Sequence, residues 1–329
     1  DGLTPEYIIT RIRDAGITGM GGAGFPTYVK LTPPSTSKID CVIINAVECE
    51  PYITSDYRLM MEHADEILVG VKLVLMAVSA PVAYIGIERN KPAAIRLFQE
   101  KTIGERSIKV VPLEQKYPQG GEKQLIDAVT RRQVPDPPAI PANVGTVVVN
   151  VGTAFAVYQA VMKNKPLFER YTSVSGKHIS QPKNFLVRMG TPISQLIDAC
   201  GGLPDGDNKI IAGGPMMGKA LMTTGVPVCK GTNSITVLSG KEAVRDGAIG
   251  PCIRCAKCVG VCPMGLEPYI LATSSAAHNW DMAEEHFITS CIECGSCQYT
   301  CPANRPMLDN IRFGKSKVMT IIRARKQKS

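Results

Sequence analysis

Cysteine is the residue that most narrows what this chain can become. Two copies of one pattern, Cys252-x-x-Cys255-x-x-Cys258-x-x-x-Cys262-Pro263 and Cys291-x-x-Cys294-x-x-Cys297-x-x-x-Cys301-Pro302, use eight of its 12 cysteines. Three thiolates spaced by two residues wrap one face of an iron-sulfur cubane, while a fourth, followed by a proline that turns the chain away, reaches the other cluster. The pattern therefore assigns Cys252, Cys255, Cys258 and Cys301 to one [4Fe-4S] cluster, and Cys291, Cys294, Cys297 and Cys262 to a second. Zinc is the competing reading, but ribbon-type zinc sites join two CxxC pairs across a longer insert and have no use for a third cysteine at the same spacing. Disulfides are the bland alternative. No secretory leader is expected ahead of the domain, and the thiols are expected to stay reduced.

With 329 residues, 44% of them hydrophobic, the chain is long enough for two or three domains with real cores. Its net charge of +8 resembles a nucleic-acid signal until it is located. Arg312, Lys315, Lys317, Arg323, Arg325, Lys326 and Lys328 all follow the last acid, Asp309, and the rest of the chain nets only +1. A basic tail of this kind suits an anionic membrane surface, an acidic partner or simple solvation, and no nucleic-acid partner is expected. The apolar stretch from Ile67 to Ile87 has nearly the length of a membrane span, yet Lys72 lies inside it and Pro81 breaks it. A helix followed by a buried strand fits better, and no transmembrane segment is expected.

Apolar strands alternate with helical segments from Asp40 to about Met162. Strands are expected at 41–46, 82–87, 108–113 and 146–150, with helices at about Tyr57 to Ser79, after Lys91, at Glu122 to Arg131 and from Thr153. This is the signature of an α/β layer with a mainly parallel sheet, whose ligand crevice lies at the carboxyl ends of the strands. From about Pro166 to Leu238 the texture changes to short β-rich runs broken by glycine pairs, the mark of a small separate domain. Beyond Gly240 the cysteine runs sit between helical patterns at Pro268 to Ala277 and Asp281 to Phe287. The expected segments are 1–165, 166–240, 241–312 and a basic tail at 313–329.

Residues Gly19-Met20-Gly21-Gly22-Ala23-Gly24 satisfy GxGxxG, but the dinucleotide fingerprint must leave a strand and open a helix. Here the loop follows an expected helix at Pro5 to Asp14 and precedes Phe25-Pro26, so a plain glycine turn remains an alternative on these residues alone. Its surroundings add to it. GMGGAGFPTYVK at 19–30 resembles the flavin loop of the NADH-oxidising, FMN-binding subunit of respiratory complex I. Asn45-Ala46-Val47-Glu48-Cys49-Glu50-Pro51, Tyr117-Pro118-Gln119-Gly120-Gly121-Glu122 and strand-ending Asn150 resemble that subunit's later motifs, in the same order. The variant forms at Asn45 to Arg58 and Ala212 to Leu221, with the paired cysteine runs, are most similar to the C subunit of the Rnf complex, a membrane-bound ferredoxin:NAD oxidoreductase that couples electron flow to sodium or proton translocation.

That resemblance implies an α/β Rossmann-like flavin domain, a small β-grasp (SLBB-type) domain and a helical di-cluster ferredoxin-like domain. It implies noncovalent FMN held by Gly19, Gly21, Gly22, Gly24, Lys30, Asn45, Glu48, Tyr117, Gly120 and Asn150, and NAD(H) meeting Phe25, Glu50 and Glu122. Glycine backbone approaches a flat ring or phosphate without a Cβ clash, and Lys30 offers a positive charge. Hydride transfer between NAD(H) and FMN needs no strongly acidic or basic side chain. The implied partners are the other subunits of a membrane complex and, indirectly, ferredoxin, with the chain peripheral on the cytoplasmic face of the membrane. Met20, Val47 and Gly121 depart from the complex I pattern, which removes polar contacts. Two alternatives share these features: a soluble NADH-dependent cobalamin reductase, and a non-catalytic electron-transfer scaffold. Cys41, Cys49, Cys200 and Cys229 are expected to be structural, and His63, His178, His278 and His286 form no metal spacing.

Overall fold

A computed structural model of the protein describes residues 2–243 and 247–328. Asp1, residues 244–246 and Ser329, which belong to the segments 1–165, 241–312 and 313–329 drawn from the sequence, lie outside the described residues, as does the Lys328 side chain. The chain forms two compact units, Asp1–Val134 with Ala139–Ala243, and Pro135–Pro138 with Val244–Ser329.

In the first unit α1 (Pro5–Asp14), capped by Thr4, and the short α2 (Thr27–Lys30) precede β1 (Cys41–Ala46), α3 (Ser55–Glu62), α4 (Ala64–Ala77) and β2 (Val82–Glu88). Then come α5 (Pro92–Lys101), β3 (Ile108–Leu113), α6 (Glu122–Thr130), β4 (Thr146–Asn150) and α7 (Val151–Lys163). The strands pair in the order β3-β2-β1-β4, all parallel. Side chains alternate along a strand, so Val42, Ile44 and Ala46 enter a core with α4 and α7, while Ile43 packs with Leu125 and Ile126 of α6 on the opposite face. Both faces are covered, as a parallel sheet requires.

The first helical segment after β1 differs from what the sequence suggests. The helix read as running from about Tyr57 to Ser79 is two helices, because His63 leaves helical geometry (φ −130°, ψ 35°) and its Nε2 lies 2.8 Å from Tyr171 Oη. The apolar stretch from Ile67 onward divides between α4 and β2, and among the described residues no helix is long and apolar enough to cross a membrane.

The remainder of this unit is β5 (Glu169–Ser175), β6 (Lys183–Arg188), α8 (Ile193–Asp198), β7 (Asn208–Ala212), β8 (Lys219–Ala220) and β9 (Ser234–Ser239). The strands form a mixed sheet in the order β6-β5-β9-β7-β8, with β5 and β9 parallel, the arrangement of a β-grasp. Val174, Ile235 and Val237 from the sheet pack with Ile193, Leu196 and Ile197 of α8.

The second unit is helical: α9 (Lys257–Gly260), α10 (Pro268–Ala276), α11 (Trp280–Glu285), α12 (Ser296–Tyr299) and α13 (Met307–Lys328). The stretch read as a basic tail continues α13. Val318 is fully buried there, Lys315 Nζ donates to the Cys291 carbonyl at 2.7 Å, and Arg325 pairs with Glu284 at 2.8 Å. Charge dominates the stretch in sequence, while its apolar residues point inward only every third or fourth position, and that hides the helix.

Helices α4 and α7 approach so closely that a Cβ on Gly70 would lie 2.0 Å from the Ala154 carbonyl oxygen. Backbone cannot yield as a side-chain end can. Gly70→Ala is expected to destabilise the first unit by about 1–3 kcal/mol, measurable as a lower denaturant midpoint with an unchanged slope.

Candidate functional site: a glycine-lined crevice and a ring of thiols

Strand β1 leads to α3 and onward to β2 on one side, whereas β4 lies on its other side, so a crevice opens beyond the carboxyl ends of β1 and β4. Asn45 and Asn150 are register partners there. Asn45 Nδ2 donates to the Gly120 carbonyl at 2.9 Å, which draws in the loop that also carries Tyr117. Asn150 Oδ1 accepts from the Gly152 and Thr153 amides, capping α7, and its Nδ2 donates to Asp56 Oδ2 at 2.7 Å.

The glycine loop reaches the same crevice as the tip of a hairpin-like excursion between α1 and α2. It is closed by Gly19 N to Phe25 O at 2.8 Å and Thr27 N to Ile17 O at 3.1 Å. A Cβ on Gly21 would stand 3.6 Å from Asn150 Cβ, while Gly22 and Gly24 have positive φ (111° and 65°) with open space where a side chain would be. The Met20 amide donates to Thr153 Oγ1 at 2.9 Å, and its side chain is buried in the apolar core. The loop thus offers bare backbone to the crevice. Lys30 Nζ lies 2.7 Å from Glu122 Oε1 and 3.0 Å from the Val148 carbonyl. Phe25 is half exposed.

Two residues have unexpected surroundings. Both Glu50 oxygens accept backbone amides of the β-grasp domain, from Met216 and Met217 at 2.9 Å each, which commits this carboxylate to the Gly214–Gly218 turn. Glu48 is buried, with its oxygens accepting from the Asp56 and Tyr57 amides at 2.8 and 3.3 Å, where they cap α3. Burial pushes the Glu48 carboxyl up to about 8, and the nearby Asp56 charge adds to the effect. Asp56 is raised as well, chiefly by burial, with the Asn150 hydrogen bond working the other way. Sequence reasoning does not find Asp56, because an acid in a helix's first turn is ordinary in sequence and gains its meaning only from burial.

In the second unit Cys262, Cys291, Cys294 and Cys297 line one apolar cavity with Met264, Leu266 and Leu308. Burial pushes the Cys291 thiol up to about 11 and Cys297 to about 12, and the neighbouring thiols, Cys262 among them, act in the same direction. The Glu293 amide donates to Cys291 Sγ and the Leu266 amide to Cys262 Sγ, each at 3.4 Å. Equivalent positions of the two runs, Arg254 and Glu293, then Ala256 and Gly295, all have positive φ between 56° and 79°. Such left-handed residues turn successive amides toward a common concave side, the backbone form that suits sulfide-rich clusters. Among the described residues no three ligating side chains converge as a single metal ion would need. In the other set, Cys252 and Cys255 are exposed and Cys258 is half-buried with Cys252 close enough to perturb it. Cys301 is half-buried, and the Gly250 amide bonds the Ala303 carbonyl at 2.9 Å, joining the lead into the first run to the exit from the second.

Residues 12–159 match the Nuo51 FMN-binding domain, 171–220 the SLBB domain and 244–302 the 4Fe-4S dicluster domain. The chain is 46% identical over 316 residues to the C subunit of the proton-translocating ferredoxin:NAD(+) oxidoreductase complex of Clostridium ljungdahlii, covering 96% of this chain and 68% of that protein. It is 43% identical to the C subunit of the Na(+)-translocating complex of Acetobacterium woodii, covering 96% of this chain and 71% of that one. The chain belongs to the family of C subunits of ion-translocating ferredoxin:NAD oxidoreductase complexes. With the Rhodobacter capsulatus member it shares 40% identity, spanning 61% of that protein's length.

An air-oxidized NAD+-reducing [NiFe]-hydrogenase has a similar fold over 71% of this chain and 46% of its own, with a TM-score of 0.59 at 24% identity. The order of an FMN-binding α/β domain, a β-grasp and a dicluster domain expected from the sequence is therefore the order found in this member of the family.

Glu48 gives the crevice a pH signature. Its raised carboxyl contributes stability that is full below its ordinary value near 4.5 and is lost as pH rises through about 8. Glu48→Gln is expected to flatten that decline. Relative to the wild type it should gain on the order of 1 kcal/mol or more between pH 5 and pH 8 in denaturant unfolding. A constant difference across those pH values would show that Glu48 is ionised in the folded protein throughout.

Proposed function

We propose that the chain is the flavin- and cluster-bearing, NAD(H)-reacting subunit of a membrane-associated ferredoxin:NAD oxidoreductase that couples electron transfer to Na+ or H+ translocation. One observation carries this reading: a glycine-lined crevice beyond the ends of β1 and β4 and a cavity lined by buried and half-buried thiols occur in one chain with the domain order of its family. FMN, when bound, accepts or gives a hydride at the nicotinamide and exchanges electrons one at a time with iron-sulfur clusters.

The residues fit that group. Gly19, Gly21, Gly22 and Gly24 leave backbone free of side chains, Asn45, Asn150 and Gly120 shape the floor, and Tyr117 lies on the loop that delivers Gly120. Lys30 supplies a cation for the phosphate or the reduced ring, steadied by Glu122 and the Val148 carbonyl. Glu48 holds the start of α3 in place beneath them. Phe25 and Glu122 border the nucleotide side, and Glu50 supports that side through the turn it binds. Two [4Fe-4S] clusters take the eight paired cysteines in the crossed arrangement. The proximity of Cys262 to Cys291 and Cys297 supports the crossing. We assign the chain to the cytoplasmic face, as a peripheral subunit.

Two experiments test this. Replacing Cys262 should damage the cluster of Cys291, Cys294 and Cys297, and replacing Cys301 the other, as followed by electron paramagnetic resonance of reduced protein. Each fourth cysteine serving its own run would reject the crossing. For the flavin, Lys30→Ala is expected to weaken FMN binding at least about tenfold, by loss of a charge-assisted contact. Glu122→Ala should weaken it less than about fivefold, since a half-exposed ion pair is worth about 0–1 kcal/mol, while slowing bleaching by NADH. Cluster-replete protein that takes up no FMN, or whose FMN neither NADH nor NADPH reduces, would make the chain an electron-carrying scaffold.

A further inference from the structure

Arg170 stands at the start of β5, outside the motifs of the crevice, and only 3% of it is exposed. A guanidinium this deep needs acceptors for its donors and an anion for its charge. Its acceptors are three backbone carbonyls: Tyr171 at 3.0 Å, Met20 at 3.2 Å, and Lys230. Met20 is in the glycine loop and Lys230 in the β-grasp segment before β9, so one side chain joins the two. Asp56 supplies the charge that acts on it, and Asp56 is held by Asn150 at the crevice floor. Burial lowers the guanidinium to about 10, with the Asp56 charge opposing that fall.

Two neighbours reinforce the junction. Lys230 Nζ donates to the Gly16 carbonyl at 2.6 Å, just before the loop. A Cβ on Gly231 would stand 3.2 Å from the Gly22 carbonyl oxygen, so the β-grasp backbone lies directly against the loop tip. The loop's other anchor is the Thr153 hydroxyl on α7. Without Arg170 the six residues from Gly19 to Gly24, four of them glycine, would keep the Gly19–Phe25 and Met20–Thr153 bonds but lose the side chain that ties them to the β-grasp segment.

We propose that Arg170 is a positioning residue for the flavin site, through which the β-grasp domain clamps the glycine loop in its cofactor-receiving shape. This rests on the reading of the crevice as an FMN site. An ordered loop binds without the entropy loss of ordering at the moment of binding, so the clamp acts on FMN affinity without touching FMN.

The test compares wild type, Arg170→Met, Arg170→Lys and Lys230→Ala as full chains. FMN binding is read by quenching of flavin fluorescence, and amide hydrogen exchange over residues 16–24 is read without flavin. Arg170→Met and Arg170→Lys are expected to bind FMN at least about tenfold more weakly, because methionine donates nothing and a compact ammonium lacks the planar fork that bonds the Met20, Lys230 and Tyr171 carbonyls together. Exchange in the loop should quicken while exchange in β1 and β4 stays unchanged. Lys230→Ala, which removes a partly exposed side chain and leaves its backbone carbonyl in place, should quicken exchange at residues 16–24 to a smaller degree. It keeps the question open to refutation if both Arg170 variants misfold. Wild type that binds no FMN sinks the flavin reading and this inference together. Wild type that binds FMN, with Arg170→Lys within about twofold of it, or with loop exchange unaltered in every variant, overturns the clamp alone.

Discussion

Strands β1 and β4 are parallel neighbours whose carboxyl ends lie side by side, and the crevice depends on that pairing. The parallel register then sets Asn45 beside Asn150 on one face of the sheet. Each amide uses part of its hydrogen-bonding capacity to organise backbone, Asn45 for the Gly120 loop and Asn150 for the start of α7. The site is therefore built on strand ends and helix starts, the stiffest places a loop can be fastened to.

The second unit solves a different problem with a short apolar core. Leu271, Ile288, Ile311 and Val318 pack together, and the cysteine runs lie along their edge with little regular structure of their own. What fixes the second run is its neighbour α13. Glu293, between two of the cysteines, pairs with both Arg312 and Lys315, and Lys315 also reaches the Cys291 carbonyl. Positive charge beside thiols that burial alone would keep protonated favours their thiolate form, the form that binds iron.

Much of this was legible in the sequence because it is periodic or repeated. The four parallel strands announce themselves as apolar β-branched runs separated by helical lengths, and the cysteine runs as a duplicated spacing. Break points and buried single charges were not legible. Nothing local in the sequence around His63 ends a helix; its conformation accompanies a bond to Tyr171, 108 residues away. Likewise Glu50, assigned to the nucleotide by resemblance, bonds a turn more than 160 residues further along the chain. Arg170 and Asp56 carried no signal at all, since an isolated charged residue looks solvated until the fold closes over it.

The SLBB match runs from residue 171 to 220 and the FMN-binding match ends at 159. Arg170 and Lys230, which tie the β-grasp sheet to the glycine loop, fall in neither span. The borders of family similarity and the physical junction between the two domains thus do not coincide. A recombination event that swapped one β-grasp for another at its family borders would leave both Arg170 and Lys230 behind and exchange only the strands between them. The incoming strands would have to fit a seam that the recipient already carries.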